Sequence, residues 1–113
     1  MTSAKRIKVI SIPVGSDPMV VEIDSTLEAM QALVGGIDGG CDLIQVVPMP
    51  DGLELVCDEE SKLKGLPLHL RIFDGQDVVA GNCFLVRHRG SDFASVTRAD
   101  IAKYVGRGRV VSL

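Results

Sequence analysis

The apolar positions at the start of the chain change period, and that change predicts the first three elements. Over residues 5–12 the pattern alternates. Ile7, Val9 and Ser11 share one face and Lys8, Ile10 and Ile12 the other, which predicts a strand buried on much of both sides. Residues 13–18 carry turn chemistry, and residues 19–23, short and β-branched, read as a second strand. Ser25 with Glu28 three positions on has the spacing of a capping box. Leu27, Met30, Ala32, Leu33 and Val34 then supply an apolar stripe at helical spacing, and the helix stops at Gly35-Gly36.

Gly35, Gly36, Gly39 and Gly40 invite comparison with a phosphate-binding loop. They follow a helix, however, where the dipole end is negative and carbonyls point outward, so they read as a C-cap and a connection. Residues 42–49 and 53–57 are apolar-rich runs separated by Pro50-Asp51-Gly52, the pattern of a β-hairpin with Asp-Gly at its turn. Residues 58–67 suit one or two helical turns, with acids first and lysines last. Residues 68–73 alternate as a strand or extended segment before Asp74-Gly75, and residues 78–88 form a strand interrupted near Gly81. Thr97 as N-cap and Asp100 behind it open a second helix over 97–104 that ends near Gly106, and residues 109–113 add a short strand. With no repeat or linker, residues 1–113 predict a single α+β domain, a mostly antiparallel sheet with a central β-hairpin and two short helices.

Composition narrows the function classes. Of 113 residues, 46% are hydrophobic and 24% charged, which describes an ordinary globular chain and excludes disorder, collagen and coiled coil. Tyr104, Phe73, Phe84 and Phe93 are the only aromatics, too few for a base-stacking platform. The net charge of −3 gives no general attraction to polyanions, so non-specific nucleic-acid binding is not expected. Charge is uneven: Lys5, Arg6 and Lys8 open the chain, Arg87, His88, Arg89, Arg98, Lys103, Arg107 and Arg109 lie late, and Asp51, Glu54, Asp58, Glu59 and Glu60 cluster midway. Paired basic ends would make a positive face for a phosphorylated ligand or an acidic partner; solvated edge charges explain them too. Cys41, Cys57 and Cys83 match neither a disulfide framework nor a metal knuckle and imply a reducing cytoplasm. No run approaches a membrane span, and Pro13, Gly15 and Asp17 interrupt the only segment resembling an export signal, so neither membrane insertion nor export is expected.

Reactive chemistry has little to work with. His69 and His88 are the only histidine bases, and their separation has no metal-ligand spacing. Cys83 lies five residues before His88 and is the best candidate nucleophile, but as a small apolar filler it reads as core, like Cys57. The densest polar cluster is Asp58-Glu59-Glu60 with Lys62 and Lys64, at a corner made by Leu63, Gly65 and Pro67. Such a corner can hold side chains over a pocket for a hydroxylated or phosphorylated ligand, and a solvated helix face explains the same residues.

Three strings, Leu27…Gln31…Val34-Gly35-Gly36, Val46-Val47-Pro48-Met49-Pro50-Asp51-Gly52 and Glu59-Glu60-Ser61-Lys62-Leu63-Lys64-Gly65-Leu66-Pro67, occur in that order. Val79-Ala80-Gly81-Asn82 and Phe93-Ala94-Ser95-Val96-Thr97 follow them. Together they resemble the domain of unknown function 3846 family over roughly residues 7 to 105, with the PxPDG and EExKLxGLP segments the most specific. Where that pattern often has Asn, Gly and Asn, this chain has Asp58, Ser61 and His69, and the last departure would alter a ligand contact at that position. The resemblance implies no reaction. It implies a bacteriophage, plasmid or bacterial setting in which small non-enzymatic proteins commonly bind something belonging to the host.

The expectation is a non-enzymatic accessory protein, without cofactor or metal, in the host cytoplasm if phage-encoded. It would sequester a small phosphorylated signal or a host defence protein through Lys62, Lys64, Pro67, His69 and Arg71, with Arg87 and Arg89 as further phosphate donors. The alternatives are a homodimeric interaction module with no small ligand, paired through an edge strand, and a small hydrolase using Cys83 and His88.

Overall fold

Alternation and β-branching at the start of the chain produce two strands that fold back on each other, β1 (Arg6–Ile12) and β2 (Met19–Asp24), antiparallel with Ile7 opposite Ile23 and Val9 opposite Val21. The computed structural model describes residues 5–13, 18–35, 43–49, 52–58, 68–72, 77–80, 82–90 and 92–105, with backbone alone for 68–72 and 77–80. The elements that follow are α1 (Leu27–Gly35), β3 (Ile44–Pro48), β4 (Leu53–Asp58), β5 (Leu68–Ile72), β6 (Asp77–Ala80), β7 (Cys83–Arg89), β8 (Asp92–Ala94) and α2 (Arg98–Tyr104). The main sheet runs β2-β1-β7-β4-β3, with β8 also paired to β7, and every pairing is antiparallel. This is the α+β architecture expected. The β3–β4 hairpin is central in the chain but lateral in the sheet, because β7 inserts between β1 and β4.

Strand β7 explains why its sequence is apolar on both sides. Cys83 and Leu85 face one layer, with Ile10, Ile12, Leu53, Leu55, Cys57 and Val96, against which Ile101, Tyr104 and Val105 of the α2 region pack. Phe84 and Val86 face the other, with Ile7, Val9, Ile23 and Val56, closed by Met30 and Val34 of α1. A sheet covered on both faces needs apolar runs at its centre, and residues 55–57 of β4 and 83–86 of β7 supply them.

Several local expectations are corrected. The N-cap of α1 is Thr26, whose Oγ1 accepts from the Ala29 N–H at 3.1 Å, while the Ser25 N–H is bonded to the Lys5 carbonyl at 2.7 Å. The helix therefore starts one residue later than the Ser25/Glu28 spacing suggests, and Leu27 and Ala32 are exposed. The run over 78–88 is interrupted where expected, between β6 and β7, but the two parts belong to different sheets. Strand β8 had no alternation long enough to predict it; it forms because Gly90, at φ 63, turns the chain so that Arg89 meets Asp92. Helix α2 has the expected cap, a reciprocal box between Thr97 and Asp100. The turns expected over 58–67, the glycines at 36, 39 and 40, Cys41 and the strand over 109–113 lie outside the described residues, apart from Asp58, which ends β4. Among the described residues no helix is long and apolar enough to cross a membrane.

Candidate functional site

The pattern of β3 and β4 sets one end of the sheet. Pro48 has no N–H to give to a ladder, the Met49 N–H donates to the Leu53 carbonyl at 2.8 Å, and Gly52 stands at φ 80 before β4 begins. A left-handed last residue is what a three-residue hairpin loop requires, and glycine takes it without a Cβ clash. A second reason is local crowding: a Cβ on Gly52 would lie 3.2 Å from Nη1 of Arg87, which stands opposite Leu53.

Arg87 reaches from β7 to α2. Its Nε donates to Oδ2 of Asp100 at 2.6 Å and its Nη2 to Oδ1 at 2.7 Å, a bidentate fork. Oδ2 also accepts the Thr97 N–H at 2.8 Å, and the Asp100 N–H donates to Oγ1 of Thr97 at 3.2 Å. The Arg87 hydrogen bonds, helped by those from Thr97 and opposed by burial, bring the Asp100 carboxyl down from 3.8 to about 2. One guanidinium thus holds α2 against the sheet beside the hairpin turn. The expectation that Arg87 serves as a supplementary phosphate donor meets this competition: a phosphate would have to share the fork with a buried carboxylate. Arg89, two residues on and on the same face, is exposed.

His88 and Cys83 lie on opposite faces of β7. Nδ1 of His88 meets Oε1 of Glu54 at 2.9 Å at the surface, whereas Cys83 is buried in the layer beneath α2 with its Sγ against the Ile12 carbonyl at 3.9 Å. Burial, reinforced by Cys57, pushes the Cys83 thiol up to about 12. A five-residue separation on a strand reverses the side, so these two cannot form the nucleophile–base contact that the hydrolase reading needs.

The other end of the sheet brings together described residues that border three of the strings carrying the family pattern. Strand β4 ends there at buried Asp58, immediately before 59–67; α1 ends at Gly35; and Asn82 opens β7. Nδ2 of Asn82 donates to the Val34 carbonyl at 3.3 Å, satisfying an acceptor the helix terminus leaves over. Beyond 59–67, β5 and β6 make a separate two-stranded sheet, in which Leu68 pairs Ala80 and Leu70 pairs Val79. The ladder advances two residues on β5 for one on β6, so His69 is the extra residue of a β-bulge. His69 and Arg71 are placed as backbone positions of β5, and Lys62, Lys64 and Pro67 lie outside the described residues.

Of the seven expected ligand residues, only Arg87 and Arg89 have side chains among the described residues. Arg87 and Arg89 lie four and six positions along β7 from Cys83, roughly 14 and 20 Å toward the opposite end from Asp58. Arg6 of the basic N-terminal run is also engaged: its Nη1 meets Asp24 at 2.9 Å and its Nε meets Glu22 at 3.3 Å across β1 and β2. These bonds, that to Asp24 first, raise the Arg6 pKa. The C-terminal strand expected over 109–113, needed for the two basic ends to pair, lies outside the described residues. The Arg87–Asp100 fork was missed because a pair thirteen residues apart on a strand and a helix leaves no periodic trace; only the Thr97/Asp100 spacing was readable.

Among the described residues no three His, Cys, Asp or Glu side chains come together as a metal site. No curated protein and no solved structure matches the chain. One family model does, described as Domain of unknown function (DUF3846), over residues 7–108, a span that takes in both ends of the sheet and the strings at each. With nearly its whole length matched, the chain belongs to the DUF3846 family.

Proposed function

We propose that this chain is a non-catalytic accessory protein of a phage or mobile element that binds and sequesters a small phosphorylated signal molecule of the host. The contact runs through Lys62, Lys64, Pro67, His69 and Arg71, and Arg89 serves at most as an outlying donor. The observation that carries the reading is the bulge at His69, on a ribbon separate from the main sheet. Among the described residues, α1 packs on one layer of that main sheet and the α2 region on the other. Bulges recur where a strand re-aims a side chain toward a site, and a two-stranded ribbon gains little stability of its own, so this segment is better suited to binding than to holding the core. Lysine and arginine supply charge-assisted donors for phosphate.

Native mass spectrometry of the full chain, incubated with the small-molecule filtrate of a bacterial lysate, tests this. A phosphate-containing adduct is expected on the unaltered protein, and it is lost when Lys62→Ala, Lys64→Ala and Arg71→Ala are combined. An adduct that survives the triple substitution, or none at all, ends the proposal. A second reading, a homodimeric interaction module, draws support from the edge strands: β2 and β3 flank the main sheet, and Met19, Val20 and Val46 on them are exposed. A dimer mass without any adduct in the same spectra favours it, as would a host defence protein captured independently of small ligand.

A further inference from the structure

Cys57 and Cys83 are opposite one another on β4 and β7, and both are buried thiols in the layer beneath α2. The hairpin tells which kind of cross-strand pair they make. The Met49–Leu53 bond and the missing Pro48 N–H set Leu53, Leu55 and Cys57 to exchange their backbone hydrogen bonds with β3. Glu54, Val56 and Asp58 therefore direct theirs toward β7, because successive residues of a strand point their N–H and C=O groups to opposite sides. The Cys57–Cys83 position is thus a non-hydrogen-bonded pair, the type in which Cα atoms approach to about 4.5 Å and side chains lie closest. That separation falls inside the range a disulfide spans.

We propose that Cys57 and Cys83 form a redox pair which peroxide closes into a cross-strand disulfide. The bond would cyclise residues 58–82, the stretch holding the 59–67 segment and the β5–β6 ribbon. Cys57, the less buried thiol at 5% exposure against 1%, reacts first. Its sulfur displaces water from hydrogen peroxide and becomes a sulfenic acid. The Cys83 sulfur then attacks the Cys57 sulfur, the S–O bond breaks, and the departing hydroxide leaves with the Cys83 proton as a second water. Two thiols give two electrons to one peroxide, and the products are one disulfide and two waters. Because the Cys83 thiol holds its proton tightly in the core, the second step is slow in the closed sheet and is limited by opening of the β4–β7 pairing.

The test treats the full chain with hydrogen peroxide, with and without urea just below its unfolding transition, and counts thiols after denaturation. Two of the three cysteines should be lost, the intact mass should fall by two hydrogens, and digestion should yield a peptide joining Cys57 to Cys83. Urea should accelerate the loss, and Cys41→Ser should retain no thiol after treatment. A disulfide that includes Cys41, a sulfinic acid at Cys57 or Cys83 with no linked peptide, or a full thiol count even in urea overturns the proposal. The result is independent of whether a phosphorylated ligand binds.

Discussion

Replacing Asp100 by Asn asks whether the Arg87 fork holds α2 onto the sheet. Both carboxylate oxygens are used: Oδ2 accepts from Nε of Arg87 at 2.6 Å and from the Thr97 N–H at 2.8 Å, and Oδ1 accepts from Nη2 of Arg87 at 2.7 Å. Asparagine keeps one acceptor, enough for the helix cap, and turns the other into a donor facing a guanidinium. A carboxyl brought from 3.8 to about 2 by folding corresponds to roughly 2–3 kcal/mol of stability at neutral pH, since each pKa unit is worth about 1.4 kcal/mol. The carboxylate side chain is 6% exposed and the guanidinium 26%, so solvent screening trims this only modestly. The expected loss for Asp100→Asn at pH 7 is about 2–3 kcal/mol. The sign with pH is set by the depressed pKa: the contribution is complete above the unfolded value of 3.8 and disappears as pH falls through about 2. At pH 2.5 roughly two-thirds of it should be gone. Urea unfolding of both proteins at pH 7 and pH 2.5 isolates this group, because every other carboxylate titrates in both. A stability gap that stays constant between the two pH values would refute the reasoning.

Two further outcomes follow from local geometry. Gly52→Ala should cost about 1–2 kcal/mol, from a left-handed backbone with a Cβ and a 3.2 Å approach to Nη1 of Arg87; a urea midpoint equal to that of the unaltered protein would contradict it. Thr26→Ala should cost about 1 kcal/mol through loss of the 3.1 Å cap bond to Ala29. Ser25→Ala should stay within about half a kcal/mol, so thermal unfolding that ranked the two in reverse would return the cap to Ser25.

Much of the architecture can be read without coordinates where the signal is local. Alternation over 5–12, β-branching over 19–23, the Pro50-Asp51-Gly52 break and the Thr97/Asp100 spacing each lead to an element the structure contains. Each reflects a preference of a few consecutive residues, for a face, a turn or a cap, that survives whatever the rest of the chain does. The cap at Ser25 fails for the same reason in reverse. Two hydroxyl residues stand side by side, and the backbone bond from Ser25 to Lys5, across twenty residues, assigns the role to Thr26.

By itself, then, the amino-acid order determined the class of fold, the position of most described strands and both helices, and the core placement of Cys57 and Cys83. Tertiary structure alone decided that β7 inserts between β1 and β4, that Arg87 is engaged by Asp100 while Arg89 stays exposed, and that Cys57 faces Cys83. It also decided that Cys83 and His88, close in the chain, stand on opposite sides of a sheet. The physical reason is that periodicity encodes which side of an element is buried, whereas partners are chosen by strand order and register. Those depend on how the two layers jointly exclude water, not on any one segment.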